Sequence, residues 1–474
     1  MIKTSQKTKE LFLLFIFIFT NFVIFLFSID AAPLVVGADA GQYLRPARSL
    51  VDFGEFAMNP PGWTPEMGES RPFTFGTPLY SIFLAIPYYF FEQNEMFYAS
   101  VIIMQCSVLY LIGWLCRGLL PYFNSGRRML IHALVIFNPN SLITAHLIQS
   151  ETLFTLFAVI SILYMLKYVN HRSINSLIIV GASAGLLSLT RPAGLYFVYM
   201  VPIILITIEL FFFIKNRFEN NSNKGSSNNF LRCFIPVLVA FLVMSPWYAR
   251  NYANSNEFFL TSASGAYLQD NYQTLIQRGR GLKQTDAYKI SKDMQLNYFI
   301  KNDIDVICLT DERSPDCGAH VFDAVFSGVL NEPIKNHAKA LFYSWGTLYL
   351  AGGASNLRNY IGLKGNSIIV AYHDEKFGFN SIITLIKRMK IEYLLIFIVF
   401  TSFALIGRIT ALIGLYRIAK NPSNIPNLII ILGTLLIFSA MYLYLGQSRF
   451  RVPIEPILML LSVLCFKDKR NLPL

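Results

Sequence analysis

Along the chain, apolar runs of roughly twenty residues alternate with short polar loops, the pattern of a protein that crosses a bilayer many times. The first run covers residues 11–29. Others cover 96–115, 129–148, 150–167, 174–189, 193–214, 231–248, 391–416, 427–445 and 453–466. Each is read as a crossing helix, about ten in all. A further apolar stretch, 79–91, is shorter. As a helix it reaches about 20 Å against a hydrocarbon core of roughly 30 Å, so it is expected to lie at the interface or to re-enter.

Two long polar segments interrupt this pattern, 30–78 and about 250–390. Cations place them. Arg117, Arg127 and Arg128, then Lys167, His171 and Arg172, then Lys215, Arg217, Lys224 and Arg232, then Arg417 and Lys420 all fall on one side of the expected crossings. Cytoplasmic loops carry such an excess, which puts both termini inside and both polar segments outside. The first run is too long for a signal-peptide core and lacks a small-residue cleavage site, so it reads as an uncleaved helix. Residues 216–229 form a polar linker whose Asn220 sequon would be idle on the inner side. Lys387, Arg388 and Lys390 break the charge rule: either the count slips there, or those cations face an anionic ligand outside.

The expected architecture is an all-α polytopic membrane protein in three parts. Residues 1–248 form a transmembrane module with its first external loop at 30–78, residues 249–390 a small α-rich cap, and residues 391–474 the last transmembrane helices. Composition agrees, since the 474 residues are 54% hydrophobic and only 14% charged. A formal net charge of +12 suits cytoplasmic loops and anionic headgroups and does not argue for nucleic acid. No Gly-rich phosphate loop or dinucleotide fingerprint occurs, so no nucleotide site is indicated. Cys106, Cys116, Cys233 and Cys465 lie in or beside apolar runs, where thiols behave as small hydrophobes, whereas Cys308 and Cys317 share the second polar segment and are candidates for a disulfide.

Chemistry is expected first at residues 37–56, GADAGQYLRPARSLVDFGEF. Asp39, Tyr43, Ala47, Leu50 and Gly54 recur at steps of three and four, which would line one face of a surface helix with the carboxylate leading. A carboxylate pressed against a bilayer is partly desolvated and suited to take a proton from a hydroxyl; the alternative is a solvated loop acid. Glu151, behind Ser150 at the start of the run 150–167, is either a second acid near Asp39 or a first-turn residue favoured by the helix dipole. Arg191 in LTRPAG and Arg449 and Arg451 in GQSRFRVP share the outer layer, where guanidinium groups suit a lipid phosphate or simply snorkel to headgroups. Arg71 precedes the short apolar stretch and Tyr80 stands at its start, both in positioning roles, and Arg250 in PWYARNY contacts either the pocket or headgroups. His320 with Asp323, and His373 with Asp374 and Glu375, lack the ligand count and spacing of a metal site, and no metal ligand is assigned.

Taken in order, these features resemble the GT-C glycosyltransferases, specifically the family 39 type that includes protein O-mannosyltransferases and the lipid A aminoarabinose transferase. The resemblance is carried by D-x3-Y-x3-A-x2-L-x3-G-x-F from Asp39, R…PLY from Arg71 to Tyr80, NP and SETLF between Asn138 and Phe154, LTRP ending at Pro192, PWYARNY from Pro246, and SRFRVPIEP near the end. It implies an inverting enzyme of the bacterial inner membrane with an extracytoplasmic site. The implied donor is a polyprenyl-phosphate-linked sugar, and the acceptor a hydroxyl of a lipid, glycan or protein. Asp39 matches the base, Glu151 the acid opening the fourth span, and Arg191 and Arg449 the cations for the donor phosphate. No cofactor is required; a divalent cation stays open. The chain departs from the pattern at Pro46, which interrupts the Asp39 helix, in the Pro- and Gly-rich insert 59–69, and in having its large external segment between two spans. Two other readings remain: an O-antigen polymerase or ligase centred on external arginines, and a lipid-linked sugar flippase or transporter.

Overall fold

The computed structural model describes residues 6–27, 39–120, 123–218, 228–363, 386–387 and 389–466. Asn220, the His373 group and Arg388 lie outside them. In chain order the helices are α1 (Gln6–Leu26), α2 (Gly41–Phe53), α3 (Leu79–Phe91), α4 (Glu95–Cys116), α5 (Ser125–Ile136), α6 (Pro139–Thr144), α7 (Glu151–His171), α8 (Ile174–Thr190), α9 (Gly194–Phe218), α10 (Asn228–Arg232) and α11 (Ile235–Ser255). After these come α12 (Ser264–Arg280), α13 (Gln284–Lys301), α14 (Pro315–Asn331), α15 (Ile334–Leu350), α16 (Ala354–Tyr360), α17 (Ile391–Ala419), α18 (Ile425–Ala440) and α19 (Glu455–Leu464). Among the described residues the only extended pairing is an isolated bridge between Ala57 and Pro72.

Seven described helices are long and apolar enough to cross a membrane: α1, α4, α7, α9, α11, α17 and α18, some with short extensions. Their outer faces leave Phe15, Phe22, Ile203, Leu238, Ile398 and Ile406 uncovered, which suits a hydrocarbon surround and makes this a polytopic membrane protein. Three runs expected to cross are shorter. Residues 129–148 break at Asn138, whose side chain accepts from the amides of Asn140 and Ser141 at 3.1 and 3.2 Å and starts the brief α6. Pro139 follows as the first residue of that new helix, a position that needs no amide hydrogen. At the C-terminus, 453–466 is divided between a 3-10 turn, Ser448–Ile454, and α19, which has 10 residues. The run 174–189 is one helix, α8, but with 17 residues it falls just short of the others.

α8 packs between α7 and α11. The approach to α11 is close because Gly181 and Gly185 share a face: a Cβ on Gly181 would stand 2.5 Å from the carbonyl oxygen of Pro236. Small residues at this spacing let helices associate where apolar burial gives no drive. The main core joins α4, α5, α7, α8, α9, α11, α17, α18 and α19.

α12 to α15 gather around a core of their own, with Tyr272, Leu275, Phe299, Val321 and Ala340 buried in it. Cys308 and Cys317 are bonded, closing the short turn Val306–Leu309 onto α14. This group is bolted to the rest at two places. Ser262 N donates to Thr74 O at 3.1 Å and Thr261 Oγ1 to Phe75 O at 2.7 Å. Opposite these, Tyr444 N donates to Asn271 Oδ1 at 3.2 Å, and Thr347 Oγ1 to Gly446 O at 2.7 Å.

Candidate active site

The N-terminal turn of α2, the start of α7, the end of α8 and the turn before α19 meet at one end of the bundle. Asp39 is not on the face of α2, as the spacing suggests, but in the turn that precedes it. Pro46 lies inside α2 without ending it, and the helix stops instead at Gly54, whose φ of 73° closes it with amide bonds back to Leu50 and Ser49. α2 packs along α3, with Leu44, Ala47, Tyr80 and Leu84 buried between them. That contact aims Tyr43 and the preceding turn at the end of the bundle.

There Asp39 Oδ2 stands 2.6 Å from Arg449 Nη1, and both side chains keep contact with solvent, 39% and 26% exposed. Arg449 Nε is buried and has no partner among the described residues. Beside this pair, Arg191 Nη1 lies 2.5 Å from Glu151 Oε1, and here the acid is only 3% exposed. Ser150 Oγ links the two halves, accepting from Arg191 Nη1 at 3.4 Å and bonded to the Tyr43 hydroxyl at 3.3 Å. Burial raises the Tyr43 phenol above its ordinary range, with Arg191 opposing and Glu151 reinforcing the shift. The Phe450 ring lies under both guanidinium groups, 5.8 Å from Arg191 and 4.8 Å from Arg449, and stacks on Tyr442 at 4.0 Å. Two cations and two carboxylates therefore meet over an aromatic floor, with the second acid held away from water.

The structure thus brings Asp39, Tyr43, Glu151, Arg191 and Arg449 together. Glu151 engages Arg191 rather than Asp39. Arg451 does not join them. It is 1% exposed and pairs with Glu455, which also binds Arg408 at 2.8 Å and accepts from Asn138 Nδ2 at 3.0 Å. Its Nη1 donates to Leu348 O. The reason is local geometry: in the 3-10 turn, residues two apart point to different sides, so Arg449 and Arg451 serve different clusters.

Tyr80 is fully buried, donates to Gln105 Oε1 at 2.9 Å and meets the Tyr43 ring edge-on at 4.9 Å, so it positions Tyr43 from behind. Arg250 donates to Phe73 O and Phe56 O, each at 2.6 Å, and to Asn251 at 2.9 Å, which pins both ends of the loop 56–73 to α11. It is a strut, away from the charges. The Arg71 side chain is exposed, and the residue contributes backbone bonds to Asn59 and Met58. His320 and Asp323 are both exposed on α14, and no three metal-binding side chains converge among the described residues. A separate recess of about 590 Å³, lined by Arg280, Lys335 and Lys339, opens between α12 and α15.

Three exposed residues of α12 and the turn before α14 carry no mark in the sequence: Tyr267, Asp270 and Arg313. Asp39 and Arg313 both act electrostatically on Tyr267 and on Asp270. Nothing in their spacing marks them, because α12 reads as an ordinary half-buried helix.

No protein-family model matches the chain, and neither does any curated protein. Among solved structures, the oligosaccharyltransferase AglB of Archaeoglobus fulgidus, in complex with an inhibitory peptide and a dolichol-phosphate, is 14% identical over 94% of this chain and 50% of its own, with a TM-score of 0.46. The chain thus spans about half the length of that protein. ArnT of Cupriavidus metallidurans bound to undecaprenyl phosphate is 14% identical over 94% of this chain and 77% of its own, with a TM-score of 0.39. At these TM-scores the likeness decides nothing, and the chemistry rests on this chain's own residues.

Proposed function

We propose that this protein is a glycosyltransferase of the GT-C kind that moves a sugar from a polyprenyl phosphate to a hydroxyl on a lipid, glycan or protein, at a site facing away from the cytoplasm. The observation that carries this reading is the partly exposed Asp39–Arg449 pair, 2.6 Å apart, beside the Arg191–Glu151 pair at the end of an apolar bundle. A carboxylate beside two guanidinium groups suits a reaction in which an alcohol loses a proton while a phosphate takes on charge.

In this mechanism the donor phosphate occupies the space in front of Arg449 and Arg191, whose planar donors match its oxygens. Asp39 takes the proton of the acceptor hydroxyl. The acceptor oxygen forms its bond to the anomeric carbon as the carbon–oxygen bond to phosphate breaks, and the polyprenyl phosphate leaves with that electron pair. One displacement inverts the anomeric configuration. Glu151 holds Arg191 in place, and Phe450 and Tyr442 exclude water from beneath the cations. An incoming phosphate competes with Asp39 for Arg449, so donor binding itself frees the base.

The test is the full-length protein in liposomes with undecaprenyl phosphate carrying a radiolabelled hexose and a membrane fraction from the host as acceptor source. Label is expected to leave the carrier and appear on a new product. Label that crosses the bilayer still attached to its carrier would mean transport and would overturn the proposal.

A further inference from the structure

α12 has two unlike faces. Gly265, Tyr272, Leu275, Ile276 and Gly279 are buried against α14 and α15. Tyr267 and Asp270, three residues apart and so on one face, are open. The roll of the helix is set at both ends of this face. Below Tyr267, Ser262 is bonded to Thr74 on one side and its hydroxyl donates to Arg313 O at 2.5 Å on the other. Beyond Asp270, Asn271 receives the Tyr444 amide at 3.2 Å, in the turn that leads to Arg449. The open face is therefore held over the gap between the first loop and the last turn.

Tyr267 is 38% exposed, and Tyr43, Arg191, Arg313 and Asp39 are the groups that act on it electrostatically. Asp270 is exposed on the same face; partial desolvation raises its carboxyl, with Arg313 opposing and Asp39 reinforcing the shift. Arg313 is steadied by lying 5.5 Å from the Phe75 ring. Across the gap between the first loop and the last turn, then, Arg191, Arg449 and Asp39 lie on the bundle side. An aromatic ring, an acceptor-only carboxylate and a guanidinium lie on the other.

We propose that Tyr267, Asp270 and Arg313 form a sugar-binding subsite facing Asp39. The Tyr267 ring covers the apolar face of a sugar ring, the Asp270 carboxylate accepts from neighbouring hydroxyls, and Arg313 donates to a ring or hydroxyl oxygen. Asp270 selects the sugar and does not serve as the base, which is Asp39 beside Arg449. The subsite rests on the glycosyl-transfer reading above. Its chemistry fits a glycosyl unit of the donor or of a glycan acceptor, and the experiment separates these.

Full-length protein in nanodiscs is titrated with bare undecaprenyl phosphate and with undecaprenyl phosphate carrying glucose, galactose or mannose, and transfer is measured in parallel. Asp270→Asn and Tyr267→Ala should weaken at least one sugar-bearing carrier about tenfold or more, as expected for lost hydrogen bonds to a charged group, and leave the bare carrier unchanged. Tyr267→Phe, which keeps the ring, should recover most of that loss, and unchanged melting temperatures show that the variants are folded. If carrier binding is unmoved but KM for the acceptor fraction rises, the sugar gripped is the acceptor's. If neither moves while the wild type transfers label, the subsite is wrong. If the wild type transfers from no carrier yet Asp270→Asn still erases discrimination between sugar-bearing and bare lipid, the subsite stands and the transfer reading falls.

Discussion

Asp39 and Arg449, 410 residues apart in the chain, close an ion pair of 2.6 Å at the solvent-facing end of the bundle. The acid alone would be an ordinary loop carboxylate. Paired with a cation that a phosphate could claim, it is, on the proposed mechanism, a base whose release depends on donor binding. Replacing Asp39 by Asn should lower kcat for transfer by a factor of about a hundred to ten thousand, the usual contribution of a general base. The same change should tighten binding of bare undecaprenyl phosphate, because Arg449 loses its competitor. Weaker lipid binding in that variant would sink the competition.

Arg191 and Glu151 make a different case because the acid is buried. Arg191→Ala strands a carboxylate without its cation and should cost about 3 kcal/mol of stability or more. The double change Arg191→Gln with Glu151→Gln should restore much of the melting temperature in detergent without restoring transfer. Recovered activity in the double variant would remove Arg191 from the phosphate site.

Arg451 is expected to report on folding alone. Its contacts are Glu455 and Leu348 O, both within the protein. Arg451→Ala should reduce stability by about 3 to 5 kcal/mol, the usual cost of opening a buried pair, and lower the yield of monodisperse protein. In whatever fraction folds, KM for the lipid-linked donor should be unchanged. A donor KM that rises in folded protein would return Arg451 to the site.

Arg250 holds the loop 56–73 by two carbonyl oxygens. Arg250→Met should free that loop, with the loss of hydrogen bonds to a charged group costing about 2 kcal/mol or more. Limited proteolysis should then cut between residues 57 and 72 faster than in the wild type. Transfer should fall while binding of bare undecaprenyl phosphate stays the same. Equal cleavage rates would mean the loop is held by other contacts.

The candidate site was half legible from sequence. Asp39, Glu151, Arg191 and Arg449 stand out because charges beside apolar runs are costly and therefore conspicuous. Tyr43 follows from its step of four after Asp39. Arg451 looked equivalent to Arg449 since both share a motif and a charge, and only the turn of the backbone separates them. Tyr267, Asp270 and Arg313 carry no such mark: they belong to a polar segment in which open charges and tyrosines are ordinary. The break at Asn138–Pro139 was also written in the chain, but the apolar residues around it concealed it.

By itself the sequence determined that the chain lives in a bilayer and where most of its helices run, because runs of apolar residues have one low-energy solvent and their length fits it. It marked the acids and cations that are candidates for chemistry. Only the tertiary structure decided which cation meets which acid, that α12 hangs over them, and that one of two neighbouring arginines is spent on Glu455. Those choices depend on contacts between residues hundreds of positions apart, which periodicity along the chain does not encode.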